Sequence, residues 1–121
     1  MMKFEVSALN WIRLQNLNKA GSLMPPLPGV YAFGSVTSVL RLPLDITWVY
    51  IGESKNLKNR FIGHTIETET NIELRTWLRS HPKDAELWFA ITKDHINTER
   101  ELIRHLVPIF NKKLYGGKKN T

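Results

Sequence analysis

The chain has 121 residues, 42% hydrophobic and 23% charged, a composition typical of one soluble globular domain with a single core. Seventeen Lys and Arg against eleven Asp and Glu give a net charge of +6, which favours a polyanionic partner without establishing one. The absence of cysteine excludes disulfides and thiolate metal sites, and no apolar run is long enough for a membrane span or shaped like a signal peptide. We therefore expect one domain, residues 1–121, in the cytoplasm.

The residue pattern predicts the secondary structure in chain order. Ser7 can cap a first helix over residues 7–20, and Gly21 ends it. A proline-rich connector follows, and residues 35–45 are expected to form a loop with room for some strand at 36–42. Short apolar and aromatic runs predict three strands, at 30–34, 46–51 and 86–92. Further helices are predicted at 57–64, 72–80 and 98–106, before a flexible basic tail at 112–121.

These elements predict an α+β fold in which helices flank a small three-stranded antiparallel sheet. In the second strand, regular alternation would place Ile46, Trp48 and Tyr50 on one side and residues 47, 49 and 51 on the other. Because both sets contain apolar residues, we expect both faces of this strand to be covered.

Glu99 has an unusual place in the last predicted helix. It falls in the middle of an apolar stripe formed by Leu102, Ile103, Leu106 and Phe110. A carboxylate that is buried without a partner is destabilising, so three interpretations stay open. Glu99 is an acid favoured by the helix dipole, a buried salt-bridge partner, or a functional residue.

Glu101 needs a different interpretation. It points roughly opposite the apolar stripe, and its spacing from Thr98 fits a capping box at the start of the helix. We therefore expect Glu101 to be structural.

The helix predicted after Gly52 carries a second set of polar residues. Arg60 and His64 lie one turn apart on its inward face, where they could hold a phosphate between them. Alternatively, the face is solvated and the arginine extends to water. Lys55 and Lys58 are expected on the exposed side, where they add to the basic surface.

Two tyrosines and one asparagine allow both structural and functional interpretations. Tyr31 and Tyr50 each lie in a predicted strand beside a glycine, and a buried tyrosine is commonly a core residue with a satisfied hydroxyl. Asn111 follows the last helix and could clamp the helix end onto the sheet or take part in catalysis. No cluster of metal ligands, phosphate-binding glycine loop or Ser-His-Asp set stands out.

Taken together, these residues resemble the GIY-YIG nuclease family. Gly29-Val30-Tyr31 and Tyr50-Ile51-Gly52 match the two motifs that name the family, with valine in place of isoleucine in the first. An arginine ten residues after the second tyrosine, a histidine four further on, then Glu99 and Asn111 complete the pattern. The resemblance runs from about residue 28 to residue 111, which is most of the chain.

The resemblance implies how the reaction would proceed. Tyr31 would be the phenol nearest the attacking water and the leading candidate for the general base. His64 would take or relay its proton, since a free tyrosine ionises only near pH 10. Tyr50 would position the water or the phosphate.

The remaining residues would bind the substrate and a metal. Arg60 would hold the scissile phosphate and stabilise the charge that develops on it, with Lys55 and Lys58 contributing to nucleic-acid binding. Glu99 would hold one divalent cation, Mg²⁺ or Mn²⁺, with waters and phosphate oxygens completing the ligand shell. Asn111 would fix the geometry of the site.

Glu53 departs from the family pattern. Repair-type members often have lysine just after the second motif, and a carboxylate there would repel DNA unless it pairs with Lys55 or Lys58. Two functions therefore compete: a metal-dependent DNA endonuclease, and a catalytically weak or inactive nucleic-acid-binding module of the same fold. A nuclease this small would need a homodimer or an accessory DNA-binding partner to cut both strands or select a sequence.

Overall fold

The structure, a computed structural model, describes residues 9–14, 17–39, 42–63, 69–81 and 84–111. His64 and the tail at 112–121, both singled out in the sequence, lie outside the described residues. A short 3-10 turn, Leu17–Lys19, precedes the first helix. The helices and strands, in chain order, are β1 (Ile12–Leu14), α1 (Ala20–Leu23), β2 (Gly29–Val39), β3 (Leu42–Ser54), α2 (Leu57–Phe61), α3 (Ile72–Ser80), β4 (Ala85–Ile91) and α4 (His95–Leu106).

The α+β fold is confirmed, but the sheet has four strands and not the predicted three. All pairs are antiparallel and the strand order is β1-β4-β2-β3. The additional strand, β1, comes from the region predicted as a helix over residues 7–20. That prediction is wrong for Ile12–Leu14, where Ile12 pairs with Phe89 and Leu14 with Leu87. Pairing with β4 outweighs the helical spacing, because it buries Leu14 in the core.

The region predicted as a loop at 35–45 is mostly strand, which the sequence had left room for at 36–42. β2 continues to Val39 and β3 begins at Leu42, and these two residues pair with each other. Residues 40 and 41 lie outside the described residues. Pro43 suggested a loop, but it lies in an edge strand at a shift of register, where a proline interrupts few ladder hydrogen bonds.

A β-bulge at Val49 reverses the predicted alternation of β3. Phe33 pairs with Tyr50 whereas the next residue, Gly34, pairs with Trp48, which leaves Val49 as the extra residue. Tyr50 consequently packs on the same face of the sheet as Tyr31, and Trp48 packs on the opposite face. The predicted grouping of Trp48 with Tyr50 is therefore wrong.

Side-chain caps fix the beginnings of α2 and α3. Asn56 accepts a hydrogen bond from the Asn59 amide at 3.1 Å, and Asn71 accepts one from the Leu74 amide, also at 3.1 Å. The helix predicted at 72–80 is confirmed, since α3 spans Ile72–Ser80. α2 ends earlier than predicted, at Phe61, just before Gly63 adopts a positive φ of 70°.

α4 begins three residues before the predicted position, which removes the proposed capping box. Its N-cap residue is Asp94, and Thr98 lies buried inside the helix. Glu101 pairs instead with Arg104 on the helix surface. Its structural role is kept, although through a different contact from the one predicted.

Each face of the sheet is covered by its own apolar cluster. We call the side that carries Tyr31, Phe33 and Tyr50 the tyrosine face; it packs against α1, α2 and α3. We call the side that carries Trp48 and Trp88 the tryptophan face; α4 packs there through Leu102 and Ile103. The expectation that both faces of β3 are covered is thus met.

Candidate active site

Tyr31 is a buried phenol at the centre of the tyrosine face. Only 2% of its surface is exposed, and its ring lies 4.9 Å from that of Phe61 and 6.4 Å from that of Tyr50, measured between centroids. Its partner across the hairpin is Gly52, where an added Cβ would overlap the tyrosine ring and hydroxyl. The glycine after Ile51 is therefore required because the phenol of Tyr31 lies directly against the backbone of β3.

Arg60 lies beside this phenol. The short helix α2 is anchored by buried Leu57 and Phe61, and this leaves Arg60 half-buried with its Cζ 5.6 Å from the centroid of the Tyr31 ring. The separation is within the range of a cation–π contact. The guanidinium is thus held at a defined place next to two aromatic rings, those of Tyr31 and Phe61.

Burial and neighbouring charges keep the phenols protonated. Burial raises the pKa of Tyr31 far above its ordinary value of 10.0, while the charge of Arg60 and a side-chain hydrogen bond from it act in the opposite direction. Burial also raises the pKa of Tyr50, and the negative charge of Glu69 adds to that effect. At neutral pH both hydroxyls can donate hydrogen bonds, and neither is a phenolate.

Glu99 lies on α4, one turn before the buried residues Leu102 and Ile103. Leu102 and Ile103 are buried as predicted, but Leu106 is 42% exposed and Phe110 packs on the tyrosine face. The buried part of the stripe therefore ends at Ile103, and Glu99, which lies between Leu102 and Ile103 around the helix, is half-buried. Its charge contributes to the raised pKa of Tyr50, which places the carboxylate within electrostatic range of that phenol.

Asn111 clamps the strand that carries Tyr50. Its Oδ1 accepts a hydrogen bond from the Ile51 amide at 2.9 Å, and its Nδ2 donates one to the Ile51 carbonyl at 2.8 Å. One side chain thereby satisfies both backbone groups of a residue on the free edge of the sheet. Of the two interpretations left open by the sequence, the clamp onto the sheet is the one that these bonds describe.

Glu53 pairs with His95 of α4, a residue that the sequence did not single out. His95 Nδ1 lies 2.6 Å from Glu53 Oε1, so the carboxylate does not use Lys55 or Lys58 as the sequence suggested. Lys55 is exposed as expected, whereas Lys58 is half-buried and its ammonium donates to the carbonyl of Gly21 at 3.0 Å. Lys58 is consequently tied to α1 instead of lining an open basic surface.

Glu69 is a buried carboxylate that the sequence did not single out. It is 3% exposed and accepts a hydrogen bond from the Asn71 amide at 2.8 Å. Its charge helps to raise the pKa of both Tyr31 and Tyr50. The signal available in the sequence was weak, because an acid just before a helix cap is normally a surface residue.

The described residues offer a limited donor set for a metal. Among them, no group of three or more His, Cys, Asp or Glu side chains is arranged to hold an ion. The half-buried carboxylate of Glu99, within electrostatic range of the Tyr50 phenol, offers hard oxygen donors of the kind that Mg²⁺ and Mn²⁺ prefer. Water and phosphate oxygens would supply most of the other ligands. The residues therefore fit a cation held by one protein carboxylate.

Comparison with solved structures identifies the fold. The chain is similar to the GIY-YIG N-terminal endonuclease domain of UvrC from Thermotoga maritima. One point mutant bound to its catalytic divalent cation aligns at 20% identity and a TM-score of 0.53, covering 83% of this chain and 99% of that one. A second aligns at 19% and 0.55 with the same coverage, and the magnesium-bound domain at 21% and 0.52, covering 81% and 98%. No protein-family model matches the sequence, and no curated protein matches it significantly.

The fold is therefore that of the GIY-YIG endonuclease domains, and the resemblance seen in the sequence is confirmed at this level. The similar domains carry a divalent cation, and the four-stranded antiparallel sheet described above belongs to this nuclease fold. Among the described residues, every helix is too short or too polar to span a bilayer.

Proposed function

We propose that this chain is a metal-dependent endonuclease that hydrolyses phosphodiester bonds in DNA, acting in the cytoplasm as a homodimer or with a DNA-binding partner. The observation that carries the proposal is the arrangement of Arg60 over the buried phenol of Tyr31, on the sheet of an endonuclease-domain fold. The proposed site consists of the residues singled out by the sequence: Tyr31, Tyr50, Arg60, His64, Glu99 and Asn111.

Arg60 would bind the scissile phosphate. Its guanidinium can donate two parallel hydrogen bonds to phosphate oxygens, and its position beside two aromatic rings limits its motion. A fixed cation of this kind stabilises the additional negative charge of the pentacoordinate transition state. The exposed ammonium of Lys55 would add a non-specific contact to the backbone of the DNA.

Tyr31 would orient the attacking water and pass on its proton. Because its pKa is raised, the hydroxyl is protonated and cannot act as a phenolate base in the free protein. A neutral phenol can instead accept the water's proton on its oxygen while its own proton moves to a second acceptor. His64, four residues after Arg60 in the sequence, is the proposed acceptor.

Glu99 would hold the divalent cation. When bound, the cation supplies a Lewis acid that neutralises charge on the phosphate. Glu99 contributes one carboxylate oxygen from α4, and Tyr50 lies within electrostatic range of it, where the phenol can hydrogen-bond a water or a phosphate oxygen. Asn111 would keep Tyr50 in place through its two bonds to Ile51.

The test is cleavage of supercoiled plasmid and branched DNA by the purified full chain with Mg²⁺ or Mn²⁺. Glu99→Ala should reduce cleavage by about 100-fold or more and leave a salt-sensitive gel shift in place, because Arg60 and the basic surface remain. Glu101→Ala is the matched control, since it removes a carboxylate of the same helix that pairs with Arg104 and His105, neither of them a proposed site residue. It should cut like the wild type.

The results separate the two functions carried by the sequence. Unchanged cutting by Glu99→Ala would reject the metal-ligand role. A wild-type protein that leaves all DNA intact with either metal but still shifts it in a gel is a nucleic-acid-binding module without catalytic activity.

A further inference from the structure

The free edge of β3 beside Tyr50 is covered by the chain that follows α4. Val107 takes a left-handed conformation with φ 44°, which turns the chain out of the helix and back toward the sheet. The Phe110 amide then donates to the Val49 carbonyl at 2.9 Å, and Asn111 bonds to both backbone groups of Ile51. We call residues 108–111 the edge segment; it supplies the partners that a fifth strand would supply.

Asn71 connects this edge segment to the start of α3. Its Nδ2 donates to the Phe110 carbonyl at 2.9 Å, while its Oδ1 accepts from the Leu74 amide as the N-cap. An asparagine can do both because its side chain carries a donor and an acceptor on one rigid group. The two bonds fix the N-terminus of α3 relative to the edge segment.

The backbone amide of Asn71 makes a third hydrogen bond. Its amide donates to Glu69 Oε2 at 2.8 Å, and this helps to hold a carboxylate that is only 3% exposed. The charge of Glu69 adds to the raised pKa of both Tyr31 and Tyr50, after burial as the larger cause. Asn71 is thus bonded both to a buried carboxylate and to the segment that clamps the strand of Tyr50.

We propose that Asn71 is a positioning residue of the active site, fixing the Glu69 carboxylate through its backbone and the strand of Tyr50 through Phe110 and Asn111. It touches neither substrate nor reacting atoms. The kinetic part of this inference rests on the proposed nuclease function; the positional part does not.

The direction of the effect follows from where Asn71 lies. Arg60 is on α2, which Asn71 does not bond, so binding of the phosphate should persist when the amide is removed. What should change is the placement of Tyr50 relative to the phosphate, because the hydrogen bond that holds Phe110 is lost. A small displacement of a group that acts in the transition state lowers kcat more than it raises KM.

Asn71→Ser is the primary test in the full chain. Serine is also a good N-cap and should keep α3, but its single hydroxyl is too short to cap Leu74 and reach Phe110 together. Loss of one net hydrogen bond should speed amide hydrogen exchange at Ile51 and Phe110 about 10-fold, while α3 keeps its protection. On plasmid DNA with Mg²⁺, kcat should fall about 10- to 100-fold, with KM within about twofold of the wild type.

Two further variants keep the inference open to refutation. Asn71→Asp retains size and the capping oxygen but cannot donate to Phe110 when ionised, so it should reproduce both effects if serine fails to fold. Asn97→Ser is the matched control, because it removes an amide that bonds only locally, to Asp94 on the surface of α4 at 3.0 Å. It should leave exchange at Ile51 and kcat unchanged.

Three results would decide against the inference or limit it. If the Ile51 and Phe110 amides exchange hydrogen at the wild-type rate in both Asn71 variants, the positional role is overturned. Faster exchange over the whole sheet, with kcat and KM changing together, also overturns it, because Asn71 would then be an ordinary stabilising cap. If the wild type cuts no DNA, the proposed function fails, and the exchange comparison alone supports or overturns the positional role.

Discussion

The two faces of the sheet are built from the same strands but differ in chemistry. On the tyrosine face, two phenols share an aromatic environment with a cation, Arg60, and a buried anion, Glu69. On the tryptophan face, Trp48 and Trp88 meet edge to face at 6.5 Å. They line a cavity of about 380 Å³ together with Trp11 and α4 side chains.

The two faces differ in the groups that their aromatic residues surround. Aromatic packing on the tyrosine face surrounds groups that titrate, and it shifts the pKa of both phenols. On the tryptophan face, the polar atom of Trp88 is simply satisfied, because its Nε1 donates to Glu86 at 2.9 Å. Aromatic residues alone therefore do not distinguish the candidate site; a guanidinium placed over a buried phenol does.

Two glycines distinguish the faces most sharply. Gly52→Ala should lower the free energy of unfolding by about 3 kcal/mol and abolish cleavage, because the added Cβ overlaps the ring of Tyr31. Gly34→Ala should destabilise similarly, since its Cβ would lie 2.8 Å from the Trp48 ring, yet retain the cleavage rate per folded molecule. Urea unfolding and plasmid cleavage measure the two effects. Equal loss of cleavage in both variants would contradict the division into two faces.

Substitutions of Arg60 and Arg13, which lie on opposite sides of the sheet, should differ in their effect on the cleavage rate. Arg60→Ala should slow cleavage about 100-fold and weaken DNA binding, because the transition-state charge loses its cation. Arg60→Lys should recover only part of the rate, since an ammonium lacks the planar fork. Arg13→Ala, the control, removes a cation that contacts Glu86 at 3.4 Å on the tryptophan face. Its single-turnover rate should match that of the wild type, and a comparable slowing would refute the assignment.

Alkaline pH should destabilise the protein through the buried phenols. The unfolded chain releases each proton near the ordinary pKa of 10.0, whereas the folded state retains it because both pKa values are raised. The folded state therefore binds more protons above pH 10, and the free energy of unfolding falls by at most about 1.4 kcal/mol per pH unit for each phenol. This contribution is complete below the unfolded pKa and is lost as the pH rises toward the folded one.

Tyr31→Phe isolates the larger of these two contributions. Removing the hydroxyl should make the decline of unfolding free energy above pH 10 shallower than in the wild type, as measured by urea denaturation at several pH values. An unchanged slope would mean that the Tyr31 phenol is not protected from ionisation by burial.

The smallest effect is expected on the tryptophan face. Trp88→Phe removes the hydrogen bond to Glu86 and should lower the free energy of unfolding by about 1 kcal/mol. Cleavage under saturating DNA should be unchanged, because Glu86 and Trp48, which the Trp88 side chain contacts, are not among the proposed site residues. A tenfold slower reaction would show that the two faces are coupled.

Much of the fold was predictable because local patterns survive in it. The span of α3 was predicted correctly, since Leu74 and Leu78 repeat at helical spacing behind an asparagine cap. The resemblance of the two tyrosine motifs to a nuclease family led to the correct fold. The first predicted helix is wrong over Ile12–Leu14 because these residues pair with the distant strand β4. In the region predicted as a loop, β2 and β3 pair with each other as neighbouring strands of a hairpin.

The candidate site also contains residues that the sequence could predict and residues that it could not. Tyr31 and Arg60 could be found from motif spacing, and the structure places them next to each other. Glu69 and Asn71 could not, because their importance comes from bonds to one another and to Phe110, which is 39 residues away from Asn71 in the chain. Contacts between residues so far apart in the chain cannot be predicted from the spacing of residues in the sequence.

By itself, the sequence determined which side chains are available and, through its motifs, the fold that would hold them. Only the tertiary structure decided that Tyr50 faces Tyr31, because the bulge at Val49 reverses the alternation of β3. It also decided that Glu53 pairs with His95 and that Asn111 clamps Ile51. Each of these depends on the register of strands and helix ends that meet only after folding, and local residue preferences do not fix that register.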